Sequence, residues 1–138
     1  MDGAGRDHPR VVLVDDDEAN LAALRESLEL EGIEVVGAAA GGADGVALAN
    51  ELRPDVVLMD LRMPGMDGFA ATAAIRAARP ETQVVILTAY EELLTQSAED
   101  VGAFAYLVKG CSPELMRQMI DQAWRRAVEM RRRAIDGT

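Results

Sequence analysis

A single histidine, a single cysteine and five aromatic side chains are all that these 138 residues offer for imidazole, thiol or stacking chemistry. With Cys111 alone, an intramolecular disulfide is excluded, and no set of cysteines and histidines remains to hold zinc. His8 lies in MDGAGRDHPR, whose polar composition reads as a flexible leader over residues 1–9, so a nucleophilic triad built on a histidine base is disfavoured. No apolar run approaches the ~20 residues of a membrane span, and the opening residues lack a signal-peptide core. The expectation is a cytoplasmic protein with no membrane partner. Basic residues are also scarce, 14 Lys and Arg against 24 Asp and Glu, for a net charge of −10. That balance argues against direct nucleic-acid binding by this domain, since phosphate backbones are held by clustered Lys and Arg. The deficit is uneven: from Ser112 onward six arginines face four acids, a net of +2, leaving −12 for residues 1–111.

What the chain does have is apolar sequence in short bursts. At 49% hydrophobic it is a globular chain of single-domain size. Five bursts have the length and β-branched content of buried strands: 10–14 (RVVLV), 33–39 (IEVVGAA, weakened at Gly37), 56–59 (VVLM), 84–87 (VVIL) and 104–108 (FAYLV). Between them, apolar residues recur at helical spacing. Leu21, Leu24 and Leu28 stop at Glu31 and Gly32; Val46, Leu48, Ala49 and Leu52 stop before Pro54. Alanines with Ile75 mark a helix over 69–78, and Leu93, Leu94 and Ala98 a short one over 91–101. Ser112 as cap, with Pro113 at the first helical position, starts a last helix reaching about Ile135. Strands alternating with helices across short connections predict an α/β fold, a doubly wound five-stranded parallel sheet with helices on both faces.

In such a sheet the carboxyl ends of the strands share one edge, where open α/β sheets place their ligands. Asp15 and Asp16 follow the first strand, Asp60 the third, Thr88 ends the fourth and Lys109 follows the fifth. The second strand brings no reactive side chain, as expected of an outer strand. Each residue alone reads more readily as a helix cap, a turn residue or a surface charge. Their joint occurrence at successive strand ends points to function. Clustered carboxylates repel and raise a pKa unless a cation intervenes, and an oxygen-only set suits a hard ion such as Mg²⁺. With an ammonium and a hydroxyl added, these are the parts that transfer and hold a phosphoryl group, with Asp60, the most central acid, as nucleophile.

At these residues the chain resembles the receiver domain of two-component response regulators, over about residues 10–125. The matching pieces are VVLVDDD at 11–17, VVLMDLRMPGMDG at 56–68, VVILTAY at 84–90 and GAFAYLVKG at 102–110. The resemblance implies a flavodoxin-like fold and a phosphorylation-controlled switch, not an enzyme beyond self-phosphorylation and self-dephosphorylation. It implies Asp60 as phosphoacceptor from a partner histidine kinase or phosphotransfer protein. Mg²⁺ would be held by Asp16 and Asp60, by Asp15 through water, and by the backbone carbonyl of Arg62. Thr88 and Lys109 would hold phosphoryl oxygens, and Thr88 and Tyr106 would switch the surface of the fourth helix, fifth strand and fifth helix. Arg62 and Tyr90 sit at positions that tune phosphoryl lifetime in this family, and their size leads to an expectation of slow self-dephosphorylation; a marked slowing on shortening either would contradict it. Gly110 follows the lysine where many members carry proline, a feature shared with the branch bearing helix-turn-helix outputs and hence with transcription regulation.

Two readings compete with the switch. A phosphohydrolase working through an aspartyl phosphate wants a second acid two residues beyond the nucleophile, where this chain has Arg62. A receiver-like scaffold insensitive to phosphate would not need Asp15, Asp16, Asp60, Thr88 and Lys109 together. The last helix outruns the five-strand pattern. Ile120, Ala123, Ala127, Met130 and Ala134 keep a three-four alternation that reads as a weak heptad seam. Residues 126–138 are thus an extension able to pair with a second copy as a homodimer, to lead into an output domain, or to fray in solvent.

Overall fold

The computed structural model describes residues 8–89 and 101–136. Chain order is β1 (Arg10–Val14), α1 (Glu18–Leu30), β2 (Glu34–Ala39), α2 (Gly42–Leu52), β3 (Val56–Met59), α3 (Gly68–Ala78), β4 (Gln83–Thr88), β5 (Ala105–Val108) and α4 (Pro113–Asp136). The helix expected over 91–101 falls, all but Val101, outside the described residues, as does Tyr90. The fifth helix of the sequence reading is therefore α4.

The strands form one parallel sheet in the order β2-β1-β3-β4-β5. β2 is an edge strand, as its lack of a reactive terminal residue implied. β1 and β3 are enclosed on both faces, and their alternation assigns the faces. Val11, Leu13, Val56 and Leu58 pack with Leu21 and Leu28 of α1 and with Met116, Ile120 and Ala123 of α4. Val12, Val14, Val57 and Met59 pack instead with Ala49 of α2 and with Ala71 and Ile75 of α3. The sheet is thus doubly wound, with a core on either side. β2 departs from regular pairing at one point: Val11 opposes Val35 but Val12 opposes Gly37, so the strand bulges past Val36. A Cβ at Gly37 would lie 2.9 Å from side-chain carbons of both Leu48 and Leu52, so α2 seats itself on the bare backbone there.

Local chemistry sets the helix ends. The Asp17 carboxylate accepts from the amides of Ala19 and Asn20, the Asp67 carboxylate from Ala70, and the Ser112 hydroxyl from Leu115. α4 continues well past the sheet's needs, and its alternating apolar positions are used within the domain. Ile120, Ala123 and Ala127 are fully buried, while Ile135 is 65% exposed. The seam read in the sequence as a surface for a second copy is, over those three residues, the contact of α4 with its own sheet. Beyond them Gln83 Nε2 approaches Met130 Sδ at 3.3 Å, and the Arg131 guanidinium pairs with the buried carboxylate of Asp55 and donates to the Pro54 carbonyl at 3.3 Å. Asp55 closes the network by accepting from the Arg10 amide at 2.8 Å. Among the described residues, no helix is long and apolar enough to cross a membrane.

Candidate functional site

The site is assembled by strand register. Parallel pairing sets Val14 beside Met59 and Thr88 beside Val108, so the residues that follow emerge together at the carboxyl edge. Backbone bonds carry the order one step past the strands. The Asp15 amide donates to Ala39 O at 3.1 Å, Asp60 to Val14 O at 2.9 Å and Lys109 to Thr88 O at 2.8 Å.

Asp15, Asp16 and Asp60 converge, with one carboxylate oxygen of each lying within 4.8 Å of the others. Asp15 and Asp60 are buried and Asp16 is exposed. Lys109 spans the two buried acids, its Nζ 2.9 Å from Asp15 Oδ2 and 3.5 Å from Asp60 Oδ1. The other Asp15 oxygen accepts the Asp17 amide at 2.9 Å, and Asp60 Oδ1 accepts the Leu61 amide at 2.9 Å. Asp15 is therefore held from both sides.

Burial is the main force on the Asp60 carboxyl and pushes its pKa up; the neighbouring Asp15 charge adds to this, and Lys109 and the Leu61 amide only partly offset it. The sequence placed the cause in carboxylate repulsion, whereas desolvation by the strand-end pocket is the larger effect. Burial alone would lower Lys109, but its hydrogen bond to Asp15 and the Asp60 charge outweigh that and hold the ammonium above its usual pKa. At neutral pH it is a fixed cation.

Three carboxylates and one ammonium leave a formal charge of −2, the complement of a divalent ion. The donors are all oxygen, with neither imidazole nor thiolate in the cluster. Lying within 4.8 Å of one another, the three oxygens are close enough for small side-chain shifts to bring them onto one ion with ~2.1 Å bonds. The residues present fit Mg²⁺. Thr88 is fully buried at the end of β4, whereas Tyr106 on β5 faces outward, 52% exposed. Arg62 is exposed on the loop after Asp60.

One essential position carries no functional group. A Cβ on Gly68 would fall 2.0 Å from the Asp60 carbonyl oxygen and 2.8 Å from Leu61 Cα. Only glycine lets the first turn of α3 rest directly on the backbone of the acid, where the Gly68 amide donates to Leu61 O at 2.9 Å. The sequence reading took Gly68 only as one of the residues leading into the helix. Its only sequence signal is its place in MPGMDG, where a glycine for flexibility and a glycine for close approach look alike.

Comparison with known proteins bears on the same residues. The family model described as response regulator receiver domain matches residues 11–121. Response regulator GacA of Pseudomonas aeruginosa is 40% identical over 83% of this chain and 55% of its own length. Transcriptional regulatory protein PdtaR of Mycobacterium tuberculosis is 45% identical over 73% of this chain and 50% of its own. The chain thus spans about half the length of these curated relatives. Among solved structures, the signal receiver domain of NarL from Mycobacterium tuberculosis superposes with a TM-score of 0.81 at 32% identity, over 87% of this chain and 98% of that one. By the match over most of its length and by these relatives, the chain belongs to the response regulator receiver domain family.

Proposed function

We propose that this domain is a switch set by phosphorylation of Asp60, with a phosphohistidine of a partner histidine kinase or phosphotransfer protein as donor. The observation that carries the reading is the Lys109 ammonium bridging Asp15 and Asp60 beside a carboxylate cluster of matching charge. An Asp60 carboxylate oxygen attacks phosphorus, forming an O–P bond as the P–N bond to the donor imidazole breaks; the leaving nitrogen takes its proton from water. Asp16 and Asp60, with Asp15 through water and the Arg62 carbonyl, would hold Mg²⁺, which would supply charge neutralisation for the transferring oxygens. Lys109, already within reach of Asp60, gives up that carboxylate to hold a phosphoryl oxygen, and the Thr88 hydroxyl donates to another. Burial of Asp60 makes these charge-assisted contacts strong.

The phosphoryl group adds about −1.5 to −2 charge to a buried strand end, and it acts by favouring one of two packings that the domain already samples. The outward Tyr106 is the side chain whose burial would report the second packing. The domain turns over no substrate other than its own acyl phosphate and binds no nucleic acid itself. Its switched surface controls an output domain or partner, as the lengths of the relatives fit.

The test is the intact mass after incubation with Mg²⁺ and acetyl phosphate, beside Asp60→Asn. One added phosphoryl group on the wild type and none on the variant is the expected result. No adduct, with Mg²⁺ and beryllofluoride also failing to bind, would leave a constitutive interaction module as the better account.

A further inference from the structure

The loop joining Asp60 to α3 touches the acceptor directly, since the Leu61 amide binds the Asp60 carboxylate. Its neck is closed by the bond from the Gly68 amide to Leu61 O, and its middle is anchored where Met63 sinks into the core. The far side of the loop, Pro64 to Met66, is exposed and turns at Gly65 with φ +79°. What backs it is another helix. A Cβ on Gly42, the first residue of α2, would lie 2.4 Å from the Met66 carbonyl oxygen and 3.1 Å from Met66 Cβ and Cγ. A hydrogen takes that direction in glycine and points at the carbonyl, a weak C–H···O contact. α2 has no side-chain cap, and its partly positive amino end begins at this contact.

We propose that Gly42 is a positioning residue for phosphoryl acceptance: by lacking a side chain it lets the first turn of α2 brace the Met66 carbonyl and fix the loop that orients Asp60. The inference rests on the phosphoacceptor reading above. Any side chain at 42 has to push backbone rather than a flexible side-chain end. The push travels along the few residues between Met66 and Leu61, one of which, Arg62, bears the carbonyl proposed for the ion. Nothing in the sequence marks Gly42 over Gly41. Yet a Cβ on Gly41 meets nothing within 4 Å, and its φ of −164° is open to any residue.

Gly42→Ala is compared with Gly41→Ala and Gly37→Ala. The last strains the seating of α2 through Leu48 and Leu52 and leaves the loop untouched. The expected result is a tenfold or greater fall in the rate of phosphorylation by acetyl phosphate for Gly42→Ala, with a higher Mg²⁺ concentration for half-maximal rate. Gly41→Ala matches wild type, and Gly37→Ala melts lower but keeps the wild-type rate. A Gly42→Ala protein that phosphorylates normally, or loses rate only as Gly37→Ala does, overturns the proposal. Should Gly42→Ala fail to fold, wild-type NMR decides: Mg²⁺ with beryllofluoride is expected to shift the Gly42 amide and leave Gly37 in place, and an unmoved Gly42 overturns it. Wild type that takes no phosphoryl group and binds no beryllofluoride would instead count against the phosphoacceptor reading itself.

Discussion

Asp60 carries a cost that the proposed role as phosphoacceptor explains. Its carboxyl pKa is raised in the folded chain above the ordinary 3.8, chiefly by burial. The folded state therefore binds this proton more tightly than the unfolded chain, and stability falls as pH climbs from the unfolded value through the raised one. Below the unfolded value the cost is absent; at neutral pH it is fully present. The Lys109 pKa is also raised, but there the charged form stabilises the fold, and that contribution is lost only as pH rises beyond its usual 10.5, outside this window. Asp60→Asn is thus expected to be more stable than wild type in EDTA at pH 7, with the gap closing toward pH 4. Urea titrations at several pH values check this, and a variant less stable than wild type at pH 7 would contradict it. Excess Mg²⁺ should reverse the order, since an ion at a hundred times its dissociation constant adds about 2.7 kcal/mol to the form that binds it.

At the scale of elements, β3 is bounded by two buried acids of different use. Asp60 leaves its carboxyl end at the site, and Asp55 precedes it at the opposite edge, fully buried between the Arg10 amide and the Arg131 guanidinium. Removing one partner of a buried pair strands the other charge, at about 3–5 kcal/mol. Arg131→Ala is expected to lose on the order of 3 kcal/mol by urea unfolding, while Asp55→Leu with Arg131→Met recovers much of it; a loss below about 1 kcal/mol would show that water compensates Asp55. None of this pairing was legible, because Asp55 reads as a residue before a strand and Arg131 as one more solvated arginine, 76 positions away. By contrast, VVLM was legible as a buried strand because every residue in it is apolar and both faces are covered. Ends were less so. Ile33 is buried like a strand residue, yet its amide belongs to the end of α1, bonding Leu28 O. Gln83 is polar but joins β4, its side-chain amide tied to the Glu81 carbonyl. The carboxylates and lysine of the site were visible as residue types at strand ends. Gly42 and Gly68 were not, since a missing side chain leaves no chemical signature.

For the whole molecule, the question is where the domain stops. A helix of 24 residues is about 36 Å long, against about 20 Å for a six-residue strand, so α4 starts beside the site and runs past the far edge of the sheet. The sequence drew a boundary at about 125, where the family resemblance ends. Ala127, Met130 and Arg131 nevertheless bury surface or charge against β3 and β4, whereas Ala134 and Ile135 face solvent. Two truncations separate these regions. Ending the chain after Arg133 removes the exposed Ala134, Ile135 and Asp136 with the residues that follow them, and is expected to change stability by less than about 1 kcal/mol. Ending it after Arg125 uncovers the part of the sheet under Ala127 and Met130 and removes the Arg131 partner of Asp55, a loss of roughly 4–6 kcal/mol by the same cavity and buried-charge effects. Folded domains have about 5–15 kcal/mol in hand, so the shorter chain should be marginal at 25 °C, melting early and taking up phosphoryl groups poorly. Equal melting temperatures for the two truncations would mean that the last three turns ride on the domain without supporting it. The predicted gap instead makes them part of the fold, binding the edge opposite Asp60 to the helix that begins four residues beyond Lys109.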